Sequence, residues 1–145
     1  MFKSKESLVN YYIISKTEFS QVSFCKKFTF IICHTDVSPS GHWVVYFVRN
    51  TNNKLLIEYF DSLGNSPTYY GLNFPLQNCS ILFKSRVLQH ASSESCGIFV
   101  LYFIHYRSKQ CSYMSIVNSF SSSSIENEKK VRSFYTLLLK RMLHA

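Results

Sequence analysis

A chain of 145 residues with 46% hydrophobic and 17% aromatic content has material for one well-packed domain, which excludes a disordered segment. Its longest unbroken apolar run, Ile98 to Ile104, is too short to span a bilayer, and a formal charge of +8 draws it towards polyanions. Five cysteines, an odd number with no CxxC pair, fit a reducing compartment better than a disulfide framework, and no Cys/His spacing suits zinc.

The start of the chain, Met-Phe-Lys-Ser-Lys-Glu-Ser, has no apolar stretch behind its basic residues, so no secretory signal is expected. Residues 6–14 read as a short helix, although Tyr and Ile lower its propensity. Phe28 to His34 is an apolar, β-branched run and predicts a buried strand. After a loop with Asp36, Pro39 and Gly41, the segment from His42 to Arg49 carries the strongest strand signal in the chain. Asn50 to Asn53 predicts a turn and Lys54 to Phe60 the partner strand, ending in Asp61-Ser62-Leu63-Gly64.

Register follows from the turn. If Arg49 faces Lys54, antiparallel pairing places Trp43 opposite Phe60 and His42 opposite Asp61. Directly opposed residues have Cβ atoms about 5 Å apart, which is carboxylate-to-imidazole reach. An Asp bound to one ring nitrogen fixes the tautomer and leaves the other nitrogen as a base. The plainer alternative is an ion pair on a sheet rim, and a slip of one residue would send the two side chains to opposite faces.

Ser66 to Gly71 predicts a single helical turn, Cys79 to Phe83 a third strand, and Arg86 to Gln89 an extension of the sheet. The loop Leu88-Gln89-His90-Ala91-Ser92-Ser93-Glu94-Ser95-Cys96-Gly97 then runs into an unbroken apolar segment. With no polar face from Ile98 to Ile104, this is a buried central helix. Ser93 and Ser95 are good N-cap residues, so Cys96 falls in the first turn, where free N–H groups and the helix dipole favour a thiolate. Gln89, seven residues upstream, can bring its amide back to the same thiol, the way a nucleophile and an oxyanion donor are built together. The competing reading is an inert buried cysteine.

Met114 to Phe120 suggests a short helix, Ser119 to Ser124 a low-complexity link, and residues 126–143 an amphipathic closing helix. Its apolar positions Val131, Phe134, Tyr135, Leu138, Leu139 and Met142 read as a core-packing stripe. The whole is an α+β domain over residues 1–145: a mixed or antiparallel central sheet and a buried helix carrying Cys96, flanked by other helices. Its working parts are the hairpin 42–61, the loop and helix 88–107, and the closing helix at about 126–143.

With His42, Asp61, Gln89 and Cys96 in this order, the chain resembles the adenovirus-type cysteine proteases, the adenain family, which are related to the SUMO-type (Ulp-like) proteases. The shared features are Gly41-His42-Trp43 opening a strand, the acidic residue in Phe60-Asp61-Ser62-Leu63-Gly64, Gln89, and Ser95-Cys96-Gly97-Ile98-Phe99 opening a helix. Asp61 stands where adenain has Glu, as in the wider superfamily. The resemblance covers about Lys27 to the end. It implies a papain-related fold, His42 as general base oriented by Asp61, Cys96 as nucleophile and Gln89 as oxyanion donor. It also implies a monomeric endopeptidase of a virus or virus-like element that cuts precursor proteins during virion maturation, in the virion, host nucleus or cytoplasm. No cofactor is needed for chemistry and no membrane partner is implied.

Adenain-like enzymes are stimulated by DNA and by a peptide that adds a strand and forms a disulfide. By resemblance Cys79 is the peptide-linked cysteine, against a buried strand cysteine as the simpler role. The positive charge supplies Lys26, Lys27, Lys84, Arg86, Lys129, Lys130, Arg132, Lys140 and Arg141 for phosphate contacts. Two other functions use the same features: an isopeptidase that removes a ubiquitin-like modifier, and a basic nucleic-acid-binding domain on a protease-like fold. Among the remaining residues, His34 and His105 read as hydrogen-bonded structural histidines, His90 as a loop residue without an acidic partner, and Trp43 as a shield beside the dyad. Asp36 is a rival orienter for His42.

Overall fold

The structure is a computed structural model that describes residues 7–36, 41–76 and 79–144. Five strands form one sheet in sequence order: β1 (Val9–Ser15), β2 (Phe28–His34), β3 (Trp43–Thr51), β4 (Lys54–Phe60) and β5 (Ile81–Leu82). The outer pairs are parallel and the two central pairs antiparallel, so the sheet is mixed. Helices α1 (Cys96–Ser108), α2 (Tyr113–Asn118) and α3 (Ser124–Leu143) follow. This is the expected α+β architecture. No helix among the described residues is long and apolar enough to cross a membrane.

Strand β3 sets the layering, because Val44 to Val48 are all buried and alternate between two cores. Val45 and Phe47 pack with Phe99, Phe103 and Val131 of the helices. Val44, Tyr46 and Val48 pack with Phe19, Tyr70 and Leu72 from irregular segments on the other side. A sheet covered on both faces reads as a continuous apolar run rather than an alternation.

Four expectations change. Residues 9–15 form the edge strand β1, parallel to β2 in the register Val9↔Phe28 to Ser15↔His34, instead of a helix. Paired tyrosines and isoleucines favour a half-buried pleat, and residues 16–27 give the long crossover that a parallel partner needs. Glu6, at the start of the proposed helix, lies outside the described residues, as do positions 37–40 of the following loop. The β3–β4 turn is shorter than predicted: Asn52 and Asn53 both take positive φ, and Thr51 pairs with Lys54. Such a two-residue turn matches the twist of the flanking strands. Register therefore moves by two, with Val45 opposite Phe60, and a shift of two keeps every side chain on its face.

The third strand is only Ile81–Leu82, and residues 86–89 do not extend the sheet. Instead, the Leu88 and Gln89 N–H groups both donate to the Ser62 carbonyl, at 2.8 and 3.0 Å. The closing-helix stripe is a core element only in its first half: Val131 is fully buried, whereas Leu139 and Met142 are exposed.

Helix α1 lies on the sheet through Phe99, Val100 and Phe103, while Leu101 faces outward, so the helix is central without being enclosed. Its C-terminal end is fixed by Arg107, which donates to both carboxylate oxygens of Glu58 at 2.8 Å and lies 4.7 Å from the Phe47 ring centre. Both partners are nearly buried, so removing one would strand a charge. Because Phe103 is wholly buried and stacks on Phe60, Phe103→Ala should cost about 3–5 kcal/mol. Leu101→Ala should cost less than about 1 kcal/mol. Chemical denaturation of the two variants checks the contrast.

Candidate active site

Asp61 sits one residue beyond β4, with its side chain wholly buried. Its carboxylate accepts four hydrogen bonds: Oδ1 from His42 Nε2 (2.5 Å) and the Leu63 N–H (3.0 Å), Oδ2 from the Asn65 N–H (3.0 Å) and the Tyr70 hydroxyl (2.6 Å). A buried carboxylate saturated in this way is locked in place. Burial and the adjacent Asp61 push the Tyr70 phenol up, which keeps it protonated as a donor. Gly64 makes the tight return possible: its φ is +76°, and a Cβ there would meet the Arg86 backbone at 2.8 Å.

His42 enters from the first residues before β3, behind Gly41. That glycine has φ +73°, and a Cβ on it would collide with the His34 ring. His34 itself bonds Asp36 (2.8 Å) and meets Trp43 edge-on, so Asp36 serves His34 and is no rival for His42. Since Nε2 of His42 is taken by Asp61, Nδ1 is the ring nitrogen left for the Cys96 thiol.

Cys96 is the first residue of α1, with Ser95 at the N-cap. Burial pushes its thiol up, but the His42 imidazole, the Trp43 backbone and the Gly97 backbone outweigh that and bring it below the ordinary thiol value. Burial alone would lower His42, yet its bonds to Asp61 and Cys96 raise it to about 9. Each group thus shifts the other towards thiolate beside imidazolium.

The loop before Cys96 is held from both sides. Buried Gln89 accepts from the Ser62 hydroxyl (2.5 Å) through Oε1 and donates to the Ser93 carbonyl (2.8 Å) through Nε2. From the N-cap position the Ser95 side chain makes no bond to α1; its hydroxyl donates to Glu128 (2.7 Å) and accepts from Arg132 (2.8 Å), both on α3. Buried Asn127, also on α3, donates to the Leu88 carbonyl (3.2 Å) and binds Ser121 through both ends of its amide. Ser62, Tyr70, Asn127 and Glu128 were not singled out from the sequence. Ser62 and Tyr70 both follow Asp61 closely in the chain, but nothing in the sequence pairs α3 with the Cys96 loop.

A cleft of about 430 Å³ opens over these groups, with His42, Cys96 and Gln89 joined by Trp43, Tyr69 and Glu94 on its walls. Three of the four residues grouped from the sequence thus line one cleft, and the fourth, Asp61, lies buried behind His42. His90 does not join them; its Nδ1 accepts from Ser92 at the exposed loop surface. His105 packs against Tyr106 and Phe134 rather than forming the expected side-chain hydrogen bond.

The model of the Ulp1 protease family, C-terminal catalytic domain, matches residues 2–140. The chain belongs to this family. It is the Ulp-like branch that the sequence features placed beside adenain. No curated protein sequence matches the chain. Among solved structures it is similar to the ASFV pS273R protease (18% identity, TM-score 0.57, covering 81% of this chain and 56% of that one). It is also similar to AvrA delL154 with IP6 and CoA (16%, 0.55, 71% and 43%) and to the Rickettsia bellii effector protein RickCE (21%, 0.52, 83% and 49%). At these identities the likeness is one of fold, and the chain spans about half the length of those proteins.

For this Ulp1-family domain, several cations proposed for phosphate contacts have internal tasks. Arg86 donates to the Val117 and Phe120 carbonyls, Lys84 to Asn118, and Lys130 to the Ser119 carbonyl, while Arg132 holds Ser95. Cys79 is half-buried before β5 and borders a separate hollow with Lys54, Leu56 and Leu76.

Thiol reactivity should follow the coupled pair. Alkylation of Cys96 by iodoacetamide should already be fast at neutral pH, where an ordinary thiol is mostly protonated, and should slow in His42→Ala as the thiol rises. Labelling rates from pH 5 to 10, read by mass, check this. Folding stability should carry the opposite mark. With His42 raised from 6.5 to about 9, its contribution is complete below about pH 6.5 and is lost as pH rises through 9.

Proposed function

We propose that this domain is a cysteine peptidase in which Cys96 is the nucleophile, His42 the acid and base, Asp61 the group that orients His42, and Gln89 the oxyanion donor. The observation that carries it is the single imidazole joined on one nitrogen to a saturated, buried carboxylate and on its other side to the thiol at the start of α1.

The Cys96 thiolate attacks the scissile carbonyl carbon, and charge passes to the carbonyl oxygen. Gln89 has one amide hydrogen not taken by Ser93, which together with the Cys96 N–H receives that oxyanion. His42 delivers its proton from Nδ1 to the leaving amine, the C–N bond breaks and a thioester remains. The now neutral imidazole takes a proton from water, whose oxygen attacks the thioester, releasing the acid and regenerating thiolate and imidazolium.

Within this reading, the substrates are precursor proteins of a virus or virus-like element, cut after small, Gly-containing sequences in the virion, nucleus or cytoplasm. The seven-residue interval from Gln89 to Cys96 and the fold shared with the ASFV protease support it. Removal of a ubiquitin-like modifier is the second reading, supported by membership of the Ulp1 family. Glycine-terminated peptide libraries against linked modifier conjugates separate the two. Stimulation by DNA through Lys26, Lys27 and Lys129, and by a peptide linked to Cys79, belongs to the viral reading. DNA stimulation should fall steeply between about 50 and 200 mM salt, whatever the DNA sequence.

Cys96→Ala should abolish peptide hydrolysis with little loss of stability, since Ala is a good helix residue. Gln89→Ala should lower kcat by about 10²–10³ with a smaller change in KM. Steady-state kinetics on a fluorogenic Gly-terminated peptide measure both, and an active Cys96→Ala protein contradicts the assignment.

A further inference from the structure

We propose that the groove between the C-terminal halves of α1 and α3 docks an acidic amphipathic helix of a partner protein. Two helical stripes line it: Tyr102, His105 and Tyr106 of α1 lead to Lys109 just past its end, and Phe134 and Leu137 lead to Arg141 on α3. The helices run side by side in the same sense, since Ser95 before α1 meets Glu128 in the second turn of α3 and His105 meets Phe134 further along. A hollow of about 300 Å³ lies between them, large enough for a leucine- or phenylalanine-sized anchor.

The floor is apolar and aromatic. Phe134 lies 5.0–6.0 Å, centre to centre, from the rings of Tyr102, His105 and Tyr106. Leu137, one helical turn after Phe134, is 56% exposed. Such a strip gains by being covered, and two helices side by side offer the groove into which a third helix fits.

Charge selects the occupant. Lys109 and Arg141 stand at the rim with no carboxylate partner among the described residues, and Lys130 and Lys140 lie along the same helix. After Glu128 the chain has five cations and no acid. Both helices end here, and their dipoles together supply about one negative charge. That does not balance Lys109, Lys130, Lys140 and Arg141. His105 in the groove is held below its ordinary value by burial and then by Lys109 and Arg141, as an electropositive groove requires. A phosphate backbone would satisfy these cations yet leave Phe134 and Leu137 uncovered. An acidic helix with apolar anchors meets both demands, with carboxylates on Lys109 and Arg141.

Cys96 is at the opposite end of α1, about 9 Å along the axis from Tyr102 and about 18 Å from the end of the helix, and none of the groove residues lines the cleft. The test is selection of displayed peptides of about 15 residues on the wild-type domain, with counter-selection on an Arg141→Glu, Leu137→Asp variant. Enriched peptides should carry Leu or Phe at helical spacing together with several Asp or Glu. Their synthetic forms should lose about tenfold or more in affinity to Arg141→Glu alone, and to Leu137→Asp alone. Reversing the facing peptide charge should restore binding to Arg141→Glu. Alkylation of Cys96 should be equal in all variants, which shows that the fold is intact. Enrichment of basic or uncharged peptides, no enrichment at all, or affinity indifferent to both substitutions overturns the proposal. So does complete displacement of the peptides by duplex DNA or anionic vesicles at stoichiometric phosphate.

Discussion

The geometry of the cleft depends on one buried carboxylate. Asp61 has no lone pair to spare: imidazole, phenol and two backbone N–H groups occupy both oxygens. The four donors rest on three structural commitments. The imidazole requires Gly41 to admit the His34 ring, the N–H groups require the Gly64 return, and the phenol requires the turn Pro67–Tyr70. A carboxylate that cannot rotate fixes which imidazole nitrogen it binds, and that leaves the other to Cys96.

The second constraint is the attachment of α1. Its C-terminal end is pinned to β4 by the Glu58–Arg107 pair, and its N-terminal end is held by α3 through Glu128 and Arg132 on Ser95. Phe99 and Phe103 between them fill the helix side of the sheet. The thiol is therefore carried on a rod fixed at both ends, while its loop is tied to β4's exit through Ser62. Strand, loop and closing helix converge on a few hydrogen bonds, which is how a domain of this size positions reactive groups.

Much of this was legible in the sequence because its strongest signals are local. The run from Trp43 to Val48, the Ser95-Cys96-Gly97 start of an apolar helix and the residues after Phe60 each announce themselves within ten positions. The hairpin register differs by two residues because Asn50–Asn53 reads as one four-residue turn, while only Asn52 and Asn53 adopt positive φ. His42 and Asp61 still meet, since an even shift preserves the faces and Asp61 lies beyond the ladder, where its side chain is free to reach. Strand β1 is not legible in the sequence because its partner is parallel and lies beyond a long crossover. The α3 contacts to Ser95 and Leu88 were illegible for the same reason: Glu128, Asn127 and Arg132 look like ordinary polar positions on an amphipathic helix. The exposed leucines of α3 obey helical spacing as well as buried ones do, so periodicity could not say which half is covered.

The central claim is that Cys96 acts as a nucleophile towards an acyl group through His42. The most direct measurement is intact-mass detection of a covalent adduct with a Gly-terminated peptide electrophile at neutral pH. One adduct should form, localised by peptide mapping to Cys96, with a rate that collapses in His42→Ala while the other four cysteines stay unmodified. Labelling spread over several cysteines, or an undiminished rate at Cys96 without His42, would contradict the account.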